Sequence, residues 1–265
     1  MHPEIFRWGF IDIRSYGVMM AVAFLFGTWL AIREARRLRL DEDRVVTVIL
    51  VALVCGVIGA RALYVLEHVS EFRGRWGSVL ALWKMSGLTL YGGLVAGPFA
   101  GLVAARRQGL PMWTTADAVT PSLAIGTMFG RVGCFLNGCC SGRPTRLPWG
   151  VVFPPDSIAW YEFGNARLHP SQLYFALAGL ALFVLLWPLR LRVRTPGVLF
   201  RIFIVHFALV RIPLDFTRAY EPSAELLSVA GVAVTESQLT SLALALFGVL
   251  MVLRLRRTVA SSAPA

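Results

Sequence analysis

Seven long apolar runs, separated by short charged segments, are the feature that most limits what this chain can fold into. Each run spans roughly 17–22 residues, which is long enough to cross the hydrocarbon core of a bilayer as an α-helix. The runs cover residues 15–32, 45–66, 88–105, 116–137, 171–189, 198–217 and 237–253. Charged residues make up only 15% of the chain, against about 25% in soluble domains. The pattern predicts an all-α polytopic membrane protein with about seven transmembrane helices, forming one integral membrane domain over residues 1–265.

The distribution of charge predicts an orientation for these spans. With the N-terminus outside, the inner segments hold fourteen basic and five acidic residues, whereas the outer segments hold nine of each. This asymmetry follows the positive-inside rule and accounts for the net charge of +11 without nucleic acid as a partner. The C-terminus is then inside. Segments 67–87 and 138–170 lie on the outer face, where their mixture of aromatic, charged and proline residues predicts an amphipathic arm and a structured cap.

Polar and ionisable residues within or capping the spans collect near one membrane face in this topology. The residues predicted to lie near the outer face are Tyr16, Arg61, Tyr91, Arg131, Asn137, His169, Arg211, Asp215 and Arg218. An arginine in an apolar helix is costly unless it faces a partner or an anionic ligand. Guanidinium groups can bind phosphate oxygens in bidentate fashion, and the anion available at this depth is a phospholipid headgroup. We therefore expect a phosphate-binding cluster in the outer leaflet, with Asp215 orienting the arginines on its own helix face.

The stretch FGRVGCFLNGCCSGRPTRLPWGVVFP, at residues 129–154, carries a family resemblance. It resembles the signature of bacterial prolipoprotein diacylglyceryl transferases, which reads roughly G-R-x-x-N-F-x-N-x-E-x-x-G-R-P-T. The resemblance continues through other short motifs in the same order along nearly the whole chain. These are Tyr16-Gly17, GAR at 59–61, YGGL at 91–94, RLHPSQLY at 167–174 and R-x-x-x-D-x-x-R at 211–218.

The resemblance implies a reaction and a location. The family transfers the diacylglyceryl group of phosphatidylglycerol to the thiol of the lipobox cysteine in a preprolipoprotein signal peptide; a thioether forms and glycerol phosphate leaves. It implies a multi-pass protein of the bacterial cytoplasmic (inner) membrane, whose active site faces the periplasmic, outer leaflet. Both substrates are held in the membrane lipid, and no cofactor is implied.

The resemblance also assigns residue roles. Arg131, Arg211 and Arg218 match family arginines that are important for activity, and they would bind the headgroup and stabilise the charge of the leaving phosphate. Asn137 matches the second signature asparagine and Gly142 the signature glycine. Together with Arg61, these residues form the predicted headgroup-binding set.

The chain departs from the family signature at several positions. Tyr91 stands where many members have a histidine that is a proposed base, and Cys134 and Cys139 replace the first asparagine and the glutamate of the signature. Tyrosine is a poor base at neutral pH unless its pKa is lowered. The general base is therefore predicted among Tyr16, Tyr91 and His169, aided by the arginines.

Structural interpretations of the same residues stay open at this stage. Arg61 can snorkel from the end of its span, His169 can cap a helix, and the tyrosines can belong to an interfacial belt. Cys134 can form a disulfide with Cys139 or Cys140, or the thiols can pack as small apolar groups. No metal site is predicted, because the cysteine spacing matches no zinc motif.

Two other functions remain compatible with the pattern. One is another phosphatidylglycerol-using membrane transferase with a different acceptor. The other is an anion or lipid transporter, although transporters place polar groups near the membrane midplane between paired repeats, and this chain shows neither feature.

Overall fold

A computed structural model describes residues 4–8, 11–73, 77, 79, 89–155, 157–220, 225–229 and 232–261. These ranges contain nine helices and four short strands. In chain order the elements are β1 Glu4–Trp8, β2 Ile11–Arg14, α1 Ser15–Arg37, α2 Glu42–Glu67, α3 Val69–Phe72, α4 Leu90–Arg107, α5 Met112–Asn137, α6 Ile158–Phe163, α7 Ser171–Arg192, α8 Val198–Asp215, β3 Glu225–Val229, β4 Val232–Thr235 and α9 Glu236–Ser261.

The long helices correspond to the apolar runs of the sequence. Helices α1, α2, α5 and α7 are each long and apolar enough to cross a membrane. Large apolar side chains such as Leu25, Val95 and Leu246 are exposed, as expected of helices that face lipid. A helical membrane protein is thus confirmed, while the count of seven spans and the orientation stay predictions.

Two short antiparallel hairpins are the part of the fold that the all-α prediction lacked. Strand β1 pairs with β2 directly before α1, and β3 pairs with β4 directly before α9. Each strand has only four or five residues. A search for apolar runs of membrane-spanning length does not detect elements of this size.

The chain forms two compact units. One unit is Ala31–Ala118, and the other combines Met1–Leu30 with Val119–Ala265. The single membrane domain over residues 1–265 stays a prediction. Of the predicted arm 67–87, the structure describes residues 67–73, 77 and 79, and the remainder lies outside the described residues.

Glycines allow α2 and α4 to pack closely in the unit Ala31–Ala118. A Cβ atom at Gly92 would collide with the backbone oxygen of Gly59 and lie 2.8 Å from Cβ of Leu63. A Cβ atom at Gly59 would collide with Cβ of Ala96. Between apolar helices in a membrane, such close backbone approach is a main source of attraction, because lipid tails are as apolar as the side chains.

The second unit is built around α5, α7, α8 and α9. The buried side chains of Ala124, Leu182, Leu186 and Leu199 form its core between α5, α7 and α8. Helix α1 joins α5 through the Ser122 hydroxyl, whose Oγ atom donates to a backbone oxygen of α1 at 2.6 Å. This core fixes the ends of α5, α7 and α8 relative to one another.

The segment between α5 and α7 is a packed structure. Phe153, Ala159 and Leu168 form a small buried core of their own. The backbone of Leu168 exchanges hydrogen bonds of 2.9 Å with Val151, and Thr145 N donates to Arg167 O at 2.8 Å. The predicted compact cap at 138–170 is therefore present in the described residues, while its position on the outer face stays a prediction.

We expect Gly92→Ala to destabilise the protein by about 1–3 kcal/mol, because the added methyl group forces α2 and α4 apart. Thermal unfolding of the purified protein in detergent measures the change. Gly126→Ala is the matched control, since no atom lies within 4 Å of its added Cβ. The close-packing interpretation is wrong if both variants unfold at the same temperature.

Candidate active site

Two arginines from different helices converge on one aromatic ring. The Cζ atom of Arg131, on α5, lies 4.7 Å from the ring centroid of Phe175, and that of Arg211, on α8, lies 5.9 Å from it. Phe175 is a buried residue of α7. The negative face of an aromatic ring attracts a cation, so Phe175 supports both guanidinium groups without neutralising them.

A third arginine belongs to the same cluster. The charge of Arg131 interacts electrostatically with those of Arg218 and Arg211, so all three guanidinium groups share one region. Within the described ranges, none of the three forms an ion pair with a carboxylate. Like charges gathered in an apolar unit repel one another, and an anionic ligand would relieve this repulsion.

Asp215 contacts Arg218 through an intermediary rather than directly. It is almost fully buried, and its Oδ1 atom accepts a hydrogen bond of 2.8 Å from the hydroxyl of Tyr220. The same hydroxyl accepts from Nη1 of Arg218 at 3.2 Å, and the guanidinium lies 4.7 Å from the tyrosine ring centroid. Asp215 thus reaches Arg218 through a bridge made by the Tyr220 hydroxyl. The orienting role of Asp215 stays a prediction.

Tyr220 also reaches the second arginine of the cluster. It forms a side-chain hydrogen bond with Ser237. The Ser237 hydroxyl accepts from Nε and Nη2 of Arg211 at 3.1 and 2.7 Å. Burial raises the pKa of Tyr220, so its hydroxyl stays protonated and able to donate at neutral pH. Tyr220 and Ser237 therefore couple Arg211, Asp215 and Arg218 in one polar network.

Polar atoms without hydrogen-bond partners lie inside this network. The Oδ2 atom of Asp215 and the Nε atom of Arg218 are both buried and unpartnered among the described residues. A buried polar atom in this state is unfavourable by about 1–3 kcal/mol. A headgroup or an ordered water can supply the missing contacts.

The cap is joined to the segment after α8 by hydrogen bonds from the backbone and the side chain of Arg143. Arg143 N donates to Thr217 O at 2.9 Å, and Arg143 Nε donates to Arg218 O at 3.0 Å. A Cβ atom at Gly142 would collide with Ser171 Oγ and lie 2.5 Å from His169 O. The signature glycine therefore allows this part of the cap to approach His169 and Ser171 closely. A direct contact of Gly142 with a headgroup stays a prediction.

His169 lies in the cap directly before α7. Its Nδ1 atom is 3.4 Å from the hydroxyl of Tyr174, which in turn accepts from Trp149 Nε1 at 2.7 Å. Its backbone oxygen accepts from Gly142 N at 3.0 Å. His169 is half-buried and is tied to the cap through both its ring and its backbone.

Helix α5 ends in a Schellman motif that folds the signature back on itself. Gly138 has a φ of 70°. Its N–H donates to Phe135 O at 3.2 Å, while Cys139 N donates to Cys134 O at 3.1 Å. This pairing of hydrogen bonds satisfies the last carbonyls of the helix, and the left-handed conformation at its centre suits glycine. Asn137, the last residue of α5, is half-buried at the same turn.

Three cysteines meet at this turn as free thiols. The Sγ atoms of Cys134, Cys139 and Cys140 lie within 4.8 Å of one another, and none forms a disulfide. The Cys139 thiol donates to Cys134 O at 3.7 Å, and Arg218 and Arg131 interact electrostatically with Cys140. Cys140 also has a φ of 59°, which is uncommon outside glycine.

Gln172 holds this turn in place, although the sequence did not single it out. The side chain is fully buried, and its Nε2 atom donates to Cys139 O at 2.7 Å. Its Oε1 atom is unpartnered within the described part of the chain. The position of Gln172 in RLHPSQLY was visible, but its contact with a turn 33 residues earlier was not.

Tyr16 lies beside the same turn. A Cβ atom at Gly133 would lie 3.3 Å from Cδ2 of Tyr16, so α1 packs closely on α5 here. Tyr16 interacts electrostatically with the three cysteines and with Arg131. The structure therefore places Tyr16 near Arg131, while its predicted role as a base stays a prediction.

Arg61 and Tyr91 belong to the unit Ala31–Ala118. Arg61 is buried, its Nε atom donates to Val79 O at 3.0 Å, and its guanidinium lies over the rings of Tyr64 and Phe72. These contacts explain its position within that unit. Tyr91 is half-buried in the first turn of α4. Their predicted roles toward substrate stay predictions.

A shallow apolar cleft lies next to Arg211. Phe175, Leu182 and Phe207 are among the residues that line it. A cleft that is apolar along its walls, with a guanidinium in its lining, suits a molecule that has an apolar chain and an anionic group.

Comparison with known proteins identifies the family. The family model described as prolipoprotein diacylglyceryl transferase matches residues 3–254. Similar proteins include the phosphatidylglycerol–prolipoprotein diacylglyceryl transferases of Geobacter sulfurreducens, Mannheimia succiniciproducens and Nitratidesulfovibrio vulgaris. The first is 34% identical over 96% of this chain and 95% of its own length. The second is 34% identical over 94% of this chain and 91% of its own length. The third is 33% identical over 93% of this chain and 91% of its own length. The chain belongs to the prolipoprotein diacylglyceryl transferase family.

Proposed function

We propose that this protein transfers the diacylglyceryl group of phosphatidylglycerol to the lipobox cysteine of a preprolipoprotein. One observation carries the proposal. Three guanidinium groups from α5, from α8 and from the segment after α8 gather without a carboxylate partner among the described residues. They do so in a helical membrane protein of this bacterial family.

The chemistry needs groups that stabilise a leaving phosphate. The substrate thiol loses its proton and attacks the glycerol carbon that carries the phosphate ester. A carbon–sulfur bond forms, the carbon–oxygen bond breaks, and glycerol phosphate leaves with the electron pair. Arg131, Arg211 and Arg218 would bind the phosphate oxygens and stabilise the charge that develops on them.

The polar network and the cleft fit this assignment. Tyr220 and Ser237 hold Arg218 and Arg211 in fixed orientations, so little reorganisation is needed when the phosphate binds. The apolar cleft next to Arg211 suits an acyl chain of the lipid. Asn137, Arg61 and Gly142 complete the proposed headgroup-binding set.

The group that removes the thiol proton is proposed among Tyr16, Tyr91 and His169. Histidine is the side chain that most often acts as a general base, which favours His169 among the three. The Tyr174 hydroxyl near its Nδ1 atom would orient the ring.

The proposed location is the bacterial inner membrane, with seven spans, the N-terminus outside and the site toward the outer leaflet. The excess of basic residues on alternate connecting segments supports this orientation. Both substrates would reach the site within the membrane, from the leaflet in which they reside.

We expect Arg131→Ala and Arg211→Ala each to lower turnover on the order of 100-fold or more, because each removes a donor to the leaving phosphate. The assay incubates purified protein with phosphatidylglycerol and a lipobox peptide, and it quantifies thioether product and released glycerol phosphate. Arg146→Ala is the matched control, since Arg146 is an exposed arginine of the cap.

The same assay distinguishes the proposed function from the two alternatives, a transferase with a different acceptor and a transporter. Glycerol phosphate release without peptide modification would indicate a transferase with a different acceptor. No turnover by the folded wild-type protein would favour transport. Wild-type activity in Arg131→Ala or Arg211→Ala would remove that arginine from the site.

We expect Tyr220→Phe to raise the KM for phosphatidylglycerol and to lower stability by about 1–3 kcal/mol, because buried Asp215 loses its hydrogen-bond donor. Steady-state kinetics and thermal unfolding measure the two effects. Tyr161→Phe, at an exposed tyrosine, is the control. A double-mutant cycle with Asp215→Asn that shows no coupling would contradict the bridge.

A fluorescent protein that folds only in the cytoplasm tests the orientation. Fused after Ala265 it should fluoresce, and fused before Met1 it should stay dark, because the proposed termini lie on opposite sides. Alkaline phosphatase, which is active only outside, should give the reverse pattern. The opposite result for either terminus would overturn the proposed topology.

A further inference from the structure

The three thiols at the end of α5 form a cluster that the proposed reaction does not use. The Sγ atoms of Cys134, Cys139 and Cys140 all lie within 4.8 Å of one another. The spacing of the three cysteines along the sequence matches no zinc-binding motif. Their sulfur atoms come together because the chain reverses direction after α5. The reversal is made by the Schellman motif at Gly138.

The spacing of the sulfur atoms is close to that of a thiolate metal site. A Zn–S bond of about 2.3 Å places the sulfur atoms of a tetrahedral site roughly 3.8 Å apart. Small side-chain rotations would bring the thiols to that separation. Three ligands from the chain leave one position of the ion for a water molecule or another small ligand.

The backbone around the cluster is held from several sides. Gln172 Nε2 donates to Cys139 O at 2.7 Å, and Ala159 N donates to Gly138 O at 3.0 Å. A Cβ atom at Gly138 would lie 2.5 Å from Cβ of Ser157, so the turn packs tightly on α6 and its N-cap. A ligand set on such a fixed frame loses little conformational freedom when it binds an ion.

The charges nearby complement a metal thiolate. Three thiolates with one divalent cation carry a net charge of −1. Arg218 and Arg131 both interact electrostatically with the cluster at Cys140. The excess negative charge would therefore be compensated by guanidinium groups already in place.

We propose that Cys134, Cys139 and Cys140 form a binding site for one thiophilic cation of the Zn²⁺ class. Thiolate ligands select such ions over Mg²⁺ and Ca²⁺, which prefer oxygen. The site shares the neighbouring Arg131 and Arg218 with the proposed phosphate site, but the metal proposal does not rest on the transferase activity, and its test requires no turnover.

Zinc binding by the full-length, untagged protein tests the proposal. The protein is reduced, desalted under anaerobic conditions and mixed with Zn²⁺, and bound metal is counted after removal of free ions. One Zn²⁺ per chain is expected. Alkylation followed by intact-mass measurement should show that Zn²⁺ protects three thiols, and Mg²⁺ should protect none.

Cysteine variants locate the site. We expect Zn²⁺ binding to weaken by about tenfold or more in each of Cys134→Ser, Cys139→Ser and Cys140→Ser. Losses of that size follow even when a residue that only hydrogen-bonds a metal ligand is replaced. Cys55→Ser is the matched control and should keep the wild-type affinity, since Cys55 is not part of the cluster. Thermal unfolding without metal shows whether each variant is folded.

Three results would overturn the proposal. They are no stoichiometric Zn²⁺ binding by the wild-type protein, unchanged binding when all three cysteines are replaced, and rapid formation of a disulfide within the cluster that excludes the metal. If a serine variant does not fold, thiol protection in the wild-type protein and in Cys55→Ser decides the question without it.

Discussion

The structure depends on holding three like charges together inside an apolar unit. Arg131 and Arg211 share the ring of Phe175, and Arg218 rests on the ring of Tyr220. Aromatic faces can support guanidinium groups without neutralising them, whereas a direct carboxylate partner would occupy the donors that a phosphate needs. In the described residues the one carboxylate near Arg218, that of Asp215, is separated from it by the Tyr220 hydroxyl. The cluster thus keeps its positive charge available for an anion.

The cap and the end of α5 form the frame for this cluster. Gly142 permits the approach of the cap to α7, and Arg143 joins the cap to the backbone of Arg218. Gly138 ends α5 in a left-handed turn that Gln172 holds from α7. These contacts come from segments far apart in the chain. They explain why small residues and a buried amide accompany the arginines: a charged cluster needs a rigid support if it is to bind a phosphate in one geometry.

The departures from the family signature now have a spatial meaning. Cys134 and Cys139, which replace an asparagine and a glutamate, meet Cys140 beside Arg131. Two of the positions that differ from the signature, Cys134 and Cys139, are therefore neighbours, so a change of chemistry at one of them affects the other. Asp215 accepts a hydrogen bond from the Tyr220 hydroxyl, which in turn accepts one from Arg218.

Three features could be predicted from the sequence. They are the apolar runs, the positions of Arg131, Arg211 and Arg218 within or next to those runs, and the family motifs. These properties depend on local composition, because crossing a membrane requires a long apolar helix whatever surrounds it. Other features could not be predicted from the sequence. They are the two hairpins, the supporting ring of Phe175, the network of Tyr220 and Ser237, and the contact of Gln172 with the turn after α5. The three cysteines looked unlike a metal site in sequence and became a cluster only when Gly138 reversed the chain. Only the tertiary structure decided these features, because hydrogen bonds and ring contacts between separate helices depend on distance and direction in space, which residue spacing along one segment does not contain.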